Sequence, residues 1–439
     1  MAVKPTNTAD SVSFVRSAKS AHATRSARSA NPTASALPRQ VSLLRIVAHG
    51  LIEATAAPTP VEAVRRQLAV QGQQVSAVPH ALIVRTLTST GSDVADAFER
   101  GDLVRSWPMR GTVHITAAAD HHWLRAALRH RLDAWVRRSE SELGVDEALC
   151  ERAAEAALAA IGRHGPLPRS ELLEVWSEAG LMGPFQGANV SSYRRRHLLV
   201  RLQAEGVLVQ GPRTGNEHLV IDARQLPGAD SGPVGLGVGR GGPGHAAALA
   251  EIARRYATSH GPVSADDLAR WTTLPKREAA RALEDAVEET CAADYGVDAA
   301  SARVPLARAV IEGGARGGLR VPGVGEKMPS AGLLYLRADL LDLLDAGLGR
   351  ARAARFLPSF DELHVGYKDR SCLTDDSGER LICPSSNGMF RPLLVDRGRL
   401  VGVRPVSGGV LWLGGSAPSA RVERDMARAV AAVEKRLAR

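Results

Sequence analysis

The chain has 439 residues, room for about two to four structural modules, and a hydrophobic share of 44% supports packed cores and excludes disorder throughout. Aromatic residues make up only 4%, which argues against a broad base-stacking platform. A net charge of +9 and a pI near 9.8 favour a polyanionic partner, nucleic acid ahead of a membrane surface. The cations are 50 Arg against 6 Lys, in a chain also rich in Ala, a bias that GC-rich codons produce without any phosphate ligand. Cys150, Cys291, Cys372 and Cys383 stand alone, with no CxxC and no zinc-finger spacing to a His pair. Reduced thiols are expected, with no disulfide scaffold and no metal site. No apolar run approaches the roughly 18 residues of a membrane helix.

Residues 1–40 are rich in Ser and Ala and hold six basic residues and one acid. They are expected to form a disordered basic tail, and without them the remaining charge is only about +4. Folding is expected from Val41, in a first module spanning 41–145. Helical spacing of Leu43, Leu44, Ile46, Val47, Leu51 and Ile52 predicts a helix. A second helix is predicted from Pro58 to Gln74, with Thr59 as N-cap and Pro60 at its first position. A third follows over 79–88 and a short fourth over Asp93–Arg100. Leu103–Trp107 and Val113–Thr116 then read as a strand pair. Helices followed by a two-stranded hairpin is the winged-helix order.

An internal repeat follows. IGRHGPLPRSELLEVW (161–176) and ATSHGPVSADDLARW (257–271) both read His-Gly-Pro-apolar, then a helix ending in Trp176 or Trp271. This joint opens a second module (146–225) and a third (245–312), with a Gly-rich linker over 226–244. GVGRGG (237–242) matches a dinucleotide fingerprint only in spelling, since no strand is predicted before it. In the second module, Ser191–Glu205 reads as a recognition helix carrying Arg194, Arg195, Arg196 and Arg201. A hairpin follows, Val207–Val209 and His218–Ile221, across the turn 211–216. The Arg cluster is either a solvated helix face or a nucleic-acid contact, and Arg194, Arg196 and Arg213 are the candidates for DNA. In the third module a helix over 276–289 and strands near 290–311 are expected. Residues 331–345 read as a Leu-rich helix. A β-rich domain is expected over 313–416, with segments at Arg355–Pro358, Phe390–Val395, Arg399–Arg404 and Val410–Leu413 forming a small sheet or barrel. An amphipathic helix closes the chain over 417–439. The fold class is therefore α+β.

Three segments carry polar residues that core packing does not explain. Gln71-Gly72-Gln73-Gln74 is expected at a helix end, where Gln is also common without function. Trp107–His114 crowds Arg110, Thr112 and His114 into one turn. Phe356–Arg370 concentrates aromatic, acidic and basic residues in one loop.

Taken in order, these residues resemble the winged-helix DNA glycosylase family of the AlkZ and YcaQ type. The likeness rests on Gln71-x-Gln73, on Arg105–His114, on the His164 and His260 joints and on Phe360–Arg370, and covers about residues 41–413. It implies three tandem winged helices in a concave shape and a C-terminal β-domain. It also implies a monofunctional enzyme that removes alkylated purines from double-stranded DNA, including bulky N7-guanine adducts and interstrand crosslinks. Gln71 and Gln73 match the family's motif pair and are the expected catalytic residues. Gly72 stands where the family usually has a larger aliphatic residue, and a small residue there is expected to loosen the motif. An N7-alkylguanine or N3-alkyladenine is already cationic, so its glycosidic bond is weakened. The enzyme need only place a water near C1′ and stabilise an oxocarbenium-like sugar. Such chemistry asks for no cofactor.

Arg110 and His114 are further expected DNA contacts, with Lys368 and Arg370 either binding phosphate or pairing with acids. Asp361 and His364 either position the active site or brace the loop. A cytoplasmic, nucleoid-associated monomer with no membrane contact is expected. The alternative is a non-enzymatic winged-helix DNA-binding regulator, or a structural protein with solvated basic faces.

Overall fold

The computed structural model describes residues 36–182, 188–292, 294–298, 302–323, 325–327, 329 and 332–439. Most of the expected N-terminal tail lies outside these residues. Its last part does not behave as a tail. Helix α1 (Arg39–Ala48) starts before Val41, the Leu37 amide donates to Ser371 Oγ, and Gln40 Oε1 accepts from the Leu319 amide.

The chain then runs α2 (Pro60–Gln67), β1 (Val70–Gln71), α3 (Val78–Ile83), α4 (Gly91–Glu99), β2 (Leu103–Met109) and β3 (Thr112–Ala117). Thr59 caps α2 as its sequence predicts, accepting from the Glu62 amide at 3.1 Å. The helix is shorter than expected, because Leu68 adopts φ +64° and turns the chain into β1. Strand β1 pairs with β3, so the segment 70–71 is extended rather than helical. Helices α5 (Ala118–Leu128) and α6 (Asp133–Leu143) lead to α7 (Glu147–His164), α8 (Arg169–Glu178), α9 (Ala188–Ala204), β4 (Leu208–Thr214) and β5 (Glu217–Asp222). The hairpin turn is only Gly215-Asn216; Gly211–Arg213, expected in the turn, belong to β4 with a register shift. The third run is α10 (His245–His260), α11 (Ala265–Thr272), α12 (Lys276–Cys291), β6 (Leu306–Glu312), β7 (Gly318–Arg320) and β8 (Leu334–Arg337).

Three times, then, the chain makes a helix, a one- or two-residue strand, two helices and a hairpin. The short strand is Val70-Gln71, then Leu167 bridged to Val220, then Val263 bridged to Tyr335. The apolar residue after each His-Gly-Pro is this bridge. Its alignment explains one error of the sequence reading: Leu334–Arg337 is a strand pairing with β6, not the start of a helix. All four of its residues are buried, and a short continuous apolar run carries no period that separates strand from helix. The helix there, α13 (Leu340–Ala351), begins only at Leu340. The return strand of the third hairpin thus lies beyond the expected edge at 312. Residues 226–244 are not a loose linker either: Val238 is 2% exposed in the core shared with α5 and α10, and a side chain on Gly232 would collide with Trp123.

The C-terminal part comprises β9 (Arg355–Leu357), α14 (Glu362–Val365), α15 (Asp376–Ile382), β10 (Leu393–Asp396), β11 (Arg399–Val403), β12 (Leu411–Trp412) and α16 (Ala420–Leu437). The sheets are antiparallel and open: β1-β3-β2-β4-β5, β7-β6-β8 and β12-β11-β10-β9. The first joins two hairpins through Arg105↔Gln210. No helix among the described residues is long and apolar enough to cross a membrane.

Two contacts tie distant segments together. Arg45 on α1 is buried over the Tyr367 ring, 3.6 Å from its centroid, and lies 3.6 Å from Asp267 on α11. Helix α16 buries Val422, Met426 and Val430, and Arg436 donates to the carbonyls of Ile83, Thr86 and Ser89. Met426→Ala should therefore lower the unfolding free energy by about 2–5 kcal/mol, and Arg436→Ala should destabilise by removing the donor to the Thr86 and Ser89 carbonyls. Urea unfolding checks both, and unchanged midpoints would contradict the docking of α16.

Candidate active site

Gln71 ends strand β1 and Gln73 lies in the bend just after it, so the pair straddles a strand end and not the helix end where it was expected. Gln71 pairs with His114 across β1 and β3, which sets the two side chains side by side. The Gly72 amide donates to the Val113 carbonyl at 2.9 Å, and the Gly72 carbonyl accepts from Arg105 Nε at 2.9 Å. A Cβ on Gly72 would lie 3.0 Å from Ile115 Cδ1. The glycine does not leave this backbone loose: both its polar groups are bonded, and Ile115 occupies the space a side chain would take.

The β2–β3 hairpin turns at Arg110 and Gly111, both in the left-handed region at φ +56° and +64°. A non-glycine residue is strained there, and here the turn brings the Arg110 guanidinium back onto β1. Its Nη2 donates to Gln71 Oε1 at 2.9 Å and reaches His114 Nε2 at 3.3 Å. His114 Nδ1 lies 2.9 Å from the Thr112 carbonyl, which can only accept, so Nδ1 carries the proton and Nε2 offers its lone pair to Arg110. Burial, and then the charge of Arg110, hold the imidazole neutral with its pKa pushed down to about 3.

Beneath β1 lies a carboxylate. The Gln71 amide donates to Glu362 Oε1 at 2.8 Å, and Trp271 Nε1 donates to Glu362 Oε2 at 3.3 Å. His260 Nε2 is 3.5 Å from the same oxygen, and both side chains are fully buried. Burial opposes the charge on Glu362, but the His260 imidazole and the Arg110 guanidinium overcome it and hold the carboxyl down at about 2. Burial lowers His260 below the ordinary histidine value against the opposing pull of Glu362. Asp361 caps α14, accepting from the Leu363 amide, and forms a two-pronged ion pair with buried Arg85 at 2.9 and 3.0 Å.

Gln73 faces away from this network, into a cleft of about 850 Å³ lined also by Gln74, Arg105, Trp107, Arg169, Arg196, Phe360 and Phe390. Gln71 is 9% exposed and sits behind it. The expected DNA contacts divide. Arg196 lines the cleft. Arg194, two residues away and on the opposite helix face, packs near Gly144, where a Cβ would stand 3.6 Å from its guanidinium. Arg213 is half-buried on β4, donating to the Gly215 carbonyl at 2.7 Å. His114 is 0% exposed and cannot meet DNA directly in this structure, and Arg110 is occupied with Gln71. Lys368 pairs with Asp266 at 2.8 Å, and Arg370 with Glu379 at 2.9 Å, on the rim of a separate groove of about 960 Å³. His364 is buried, bonded to Glu379 and Arg370; with Asp361 it braces the loop.

Glu362, His260 and Trp271 were not among the expected site residues. The signal was present, since His260 and Trp271 belong to the second His-Gly-Pro repeat and Glu362 follows Asp361. But the equivalent His164 is exposed, so spacing alone could not say which joint turns inward.

Gly72→Leu should cost about 1–3 kcal/mol by overpacking against Ile115, and Ile115→Ala in the same chain should recover part of it. A double-mutant cycle reads this coupling; strictly additive effects would contradict it. Burial depresses His80 to about 4, His114 to about 3 and His218 to about 4. Between these values and about 6.5 the unfolded chain binds protons that the folded chain refuses. Stability should therefore be full above about pH 6.5 and fall as pH drops through about 6 to 4, before Glu362 titrates. Melting temperatures that stay level down to about pH 4.5 would refute this.

Among solved structures, Streptomyces sahachiroi DNA glycosylase AlkZ superposes with a TM-score of 0.60 over 91% of this chain and 96% of that one, at 19% identity. This similarity concerns the fold. No curated protein sequence matches the chain. The family model described as AlkZ-like, DNA glycosylase AlkZ-like, matches residues 64–439, the span that holds the Gln strand, the Arg110 turn, the cleft and the buried Glu362. The chain belongs to the AlkZ-like DNA glycosylase family.

Proposed function

We propose that this protein hydrolyses the N-glycosidic bond of alkylated purines in duplex DNA, N7-alkylguanine and N3-alkyladenine above all. The observation that carries the reading is the division of labour at one strand end: Gln73, in the bend after β1, lines an open cleft while Gln71 is fixed behind it by Arg110. A cationic base leaves without being protonated. What remains is to hold a water near C1′ and to tolerate positive charge on the sugar, and a neutral carboxamide does both. Among the described residues lining the cleft there is no Lys, which supports attack by water and an intact strand afterwards. The chemistry requires neither metal nor cofactor.

The three runs of helix, short strand, two helices and hairpin correspond to winged-helix modules, and the cleft lies where the first two hairpins face the C-terminal sheet. Arg196 and Arg169 are the phosphate contacts on its wall, with Arg213 on the neighbouring hairpin. A base tied to the opposite strand cannot swing out by ~180° into a closed pocket. An open cleft suits bulky adducts and interstrand crosslinks better. On this reading the protein works as a monomer on chromosomal DNA in the cytoplasm.

The test is release of free N7-methylguanine from alkylated duplex at ~50 mM salt, where phosphate attraction is strong. Wild type should release the base, Gln73→Ala should slow release about 100-fold, and Gln71→Ala should slow it as well. Absence of release, with binding to one operator sequence regardless of lesion, would instead indicate a regulator.

A further inference from the structure

We propose that Glu362 and His260 are the positioning pair of this site: they hold Gln71 at the end of β1, and with it the Gly72-Gln73 bend, in place from behind, touching neither DNA nor water. The proposal rests on the reading of Gln73 as the residue that meets substrate.

Strand β1 is the edge of its sheet, with β3 on one side and, among the described residues, no strand on the other. An edge strand leaves amides that must find partners elsewhere. The Gln71 amide finds Glu362 Oε1, from a residue 291 positions away. The carboxylate thereby acts as the missing neighbour strand, at the one residue whose register decides where Gln73 points. A slip of one residue would turn the Gln71 side chain to the other face and shift the bend that carries Gln73.

A buried carboxylate is expensive unless hydrogen-bonded, and the surroundings of this one are built for it. Trp271 Nε1 donates to its second oxygen, and His260 Nε2 lies 3.5 Å from it. His260 Nδ1 is engaged by Ser259 Oγ at 2.8 Å. Apart from Glu362, nothing is available to His260 Nε2, which has no partner at hydrogen-bond distance among the described residues. Gly366 completes the fit: a Cβ there would stand 3.0 Å from the His260 ring and 3.1 Å from Glu362 Oε2. Remote segments of the chain meet at a single backbone amide.

Glu362→Gln keeps the shape and one acceptor but removes the charge. Single-turnover base release should slow by about 10- to 100-fold while affinity for the same duplex stays close to wild type, and the melting temperature should fall, since a carboxyl held below its unfolded value stabilises the fold when ionised. The Gln71 amide proton, seen by selective labelling of glutamine nitrogen, should move upfield as its ionised acceptor is lost. Trp271→Phe, which keeps the carboxylate and loses one donor to it, should give a smaller change of the same kind. If Glu362→Gln fails to fold, Trp271→Phe alone decides: a slower release with an unchanged affinity supports the pair, and wild-type behaviour in both readouts overturns it. Glu362→Gln that folds, releases base at the wild-type rate and leaves the Gln71 amide unmoved also overturns it. Wild type that releases no base refutes the proposed function instead, and the amide shift still reports on the pair.

Discussion

A charged carboxylate sealed from water must be compensated by donors in fixed positions, and at Glu362 this requirement organises the middle of the molecule. The donors come from elements that do not otherwise need each other. Gln71 belongs to the first hairpin sheet, Trp271 and His260 to the third helical run, and Glu362 to α14, between β9 and β10 of the C-terminal sheet. Around them stand two further buried ion pairs, Arg85–Asp361 and Arg45–Asp267. Ion pairs of this kind contribute little net stability compared with apolar packing. Their geometry is exacting, however, and they fix how separate units sit against one another.

That exactness bears on the chemistry available to a neutral glutamine. A carboxamide has no charge to attract a water and no pKa with which to activate it. Its usefulness depends on where it is. Arg110 in its left-handed turn, the two backbone bonds of Gly72 and the carboxylate under Gln71 are all devices of placement. The open cleft in front of Gln73 carries aromatic and cationic side chains, while the apparatus that fixes the strand is kept dry behind it.

Much of the fold was legible in order along the chain. Thr59-Pro60 marked the start of α2, the apolar spacing marked α1 and α16, and the His-Gly-Pro repeat marked the joints where a helix hands over to a bridging residue. Failures fell where local pattern is ambiguous. Leu334–Leu336 is a short apolar run without a period, so only its pairing with β6 makes it a strand. Residues 68–74 continue an acceptable helical composition, and only the positive φ of Leu68 and the pairing with β3 turn Val70–Gln71 into an edge strand with a bend after it. Within the site, the Gln pair, Arg110, His114 and Asp361 could all be picked out by type and crowding. Their division between cleft and interior could not, because exposure belongs to the packed chain and not to the residue.

By itself the sequence determined which residues were available to the chemistry and how far apart they stood on the chain. A two-residue spacing of glutamines, a repeated His-Gly-Pro and a modest positive charge are properties of the chain, and local propensity acts on them directly. Tertiary structure decided which histidine was buried, which arginines faced the cleft and which carboxylate became a hydrogen-bond acceptor for the Gln strand. Those outcomes depend on contacts between residues up to 291 positions apart. Contacts at such separations are set by how whole units pack, and no local pattern encodes them.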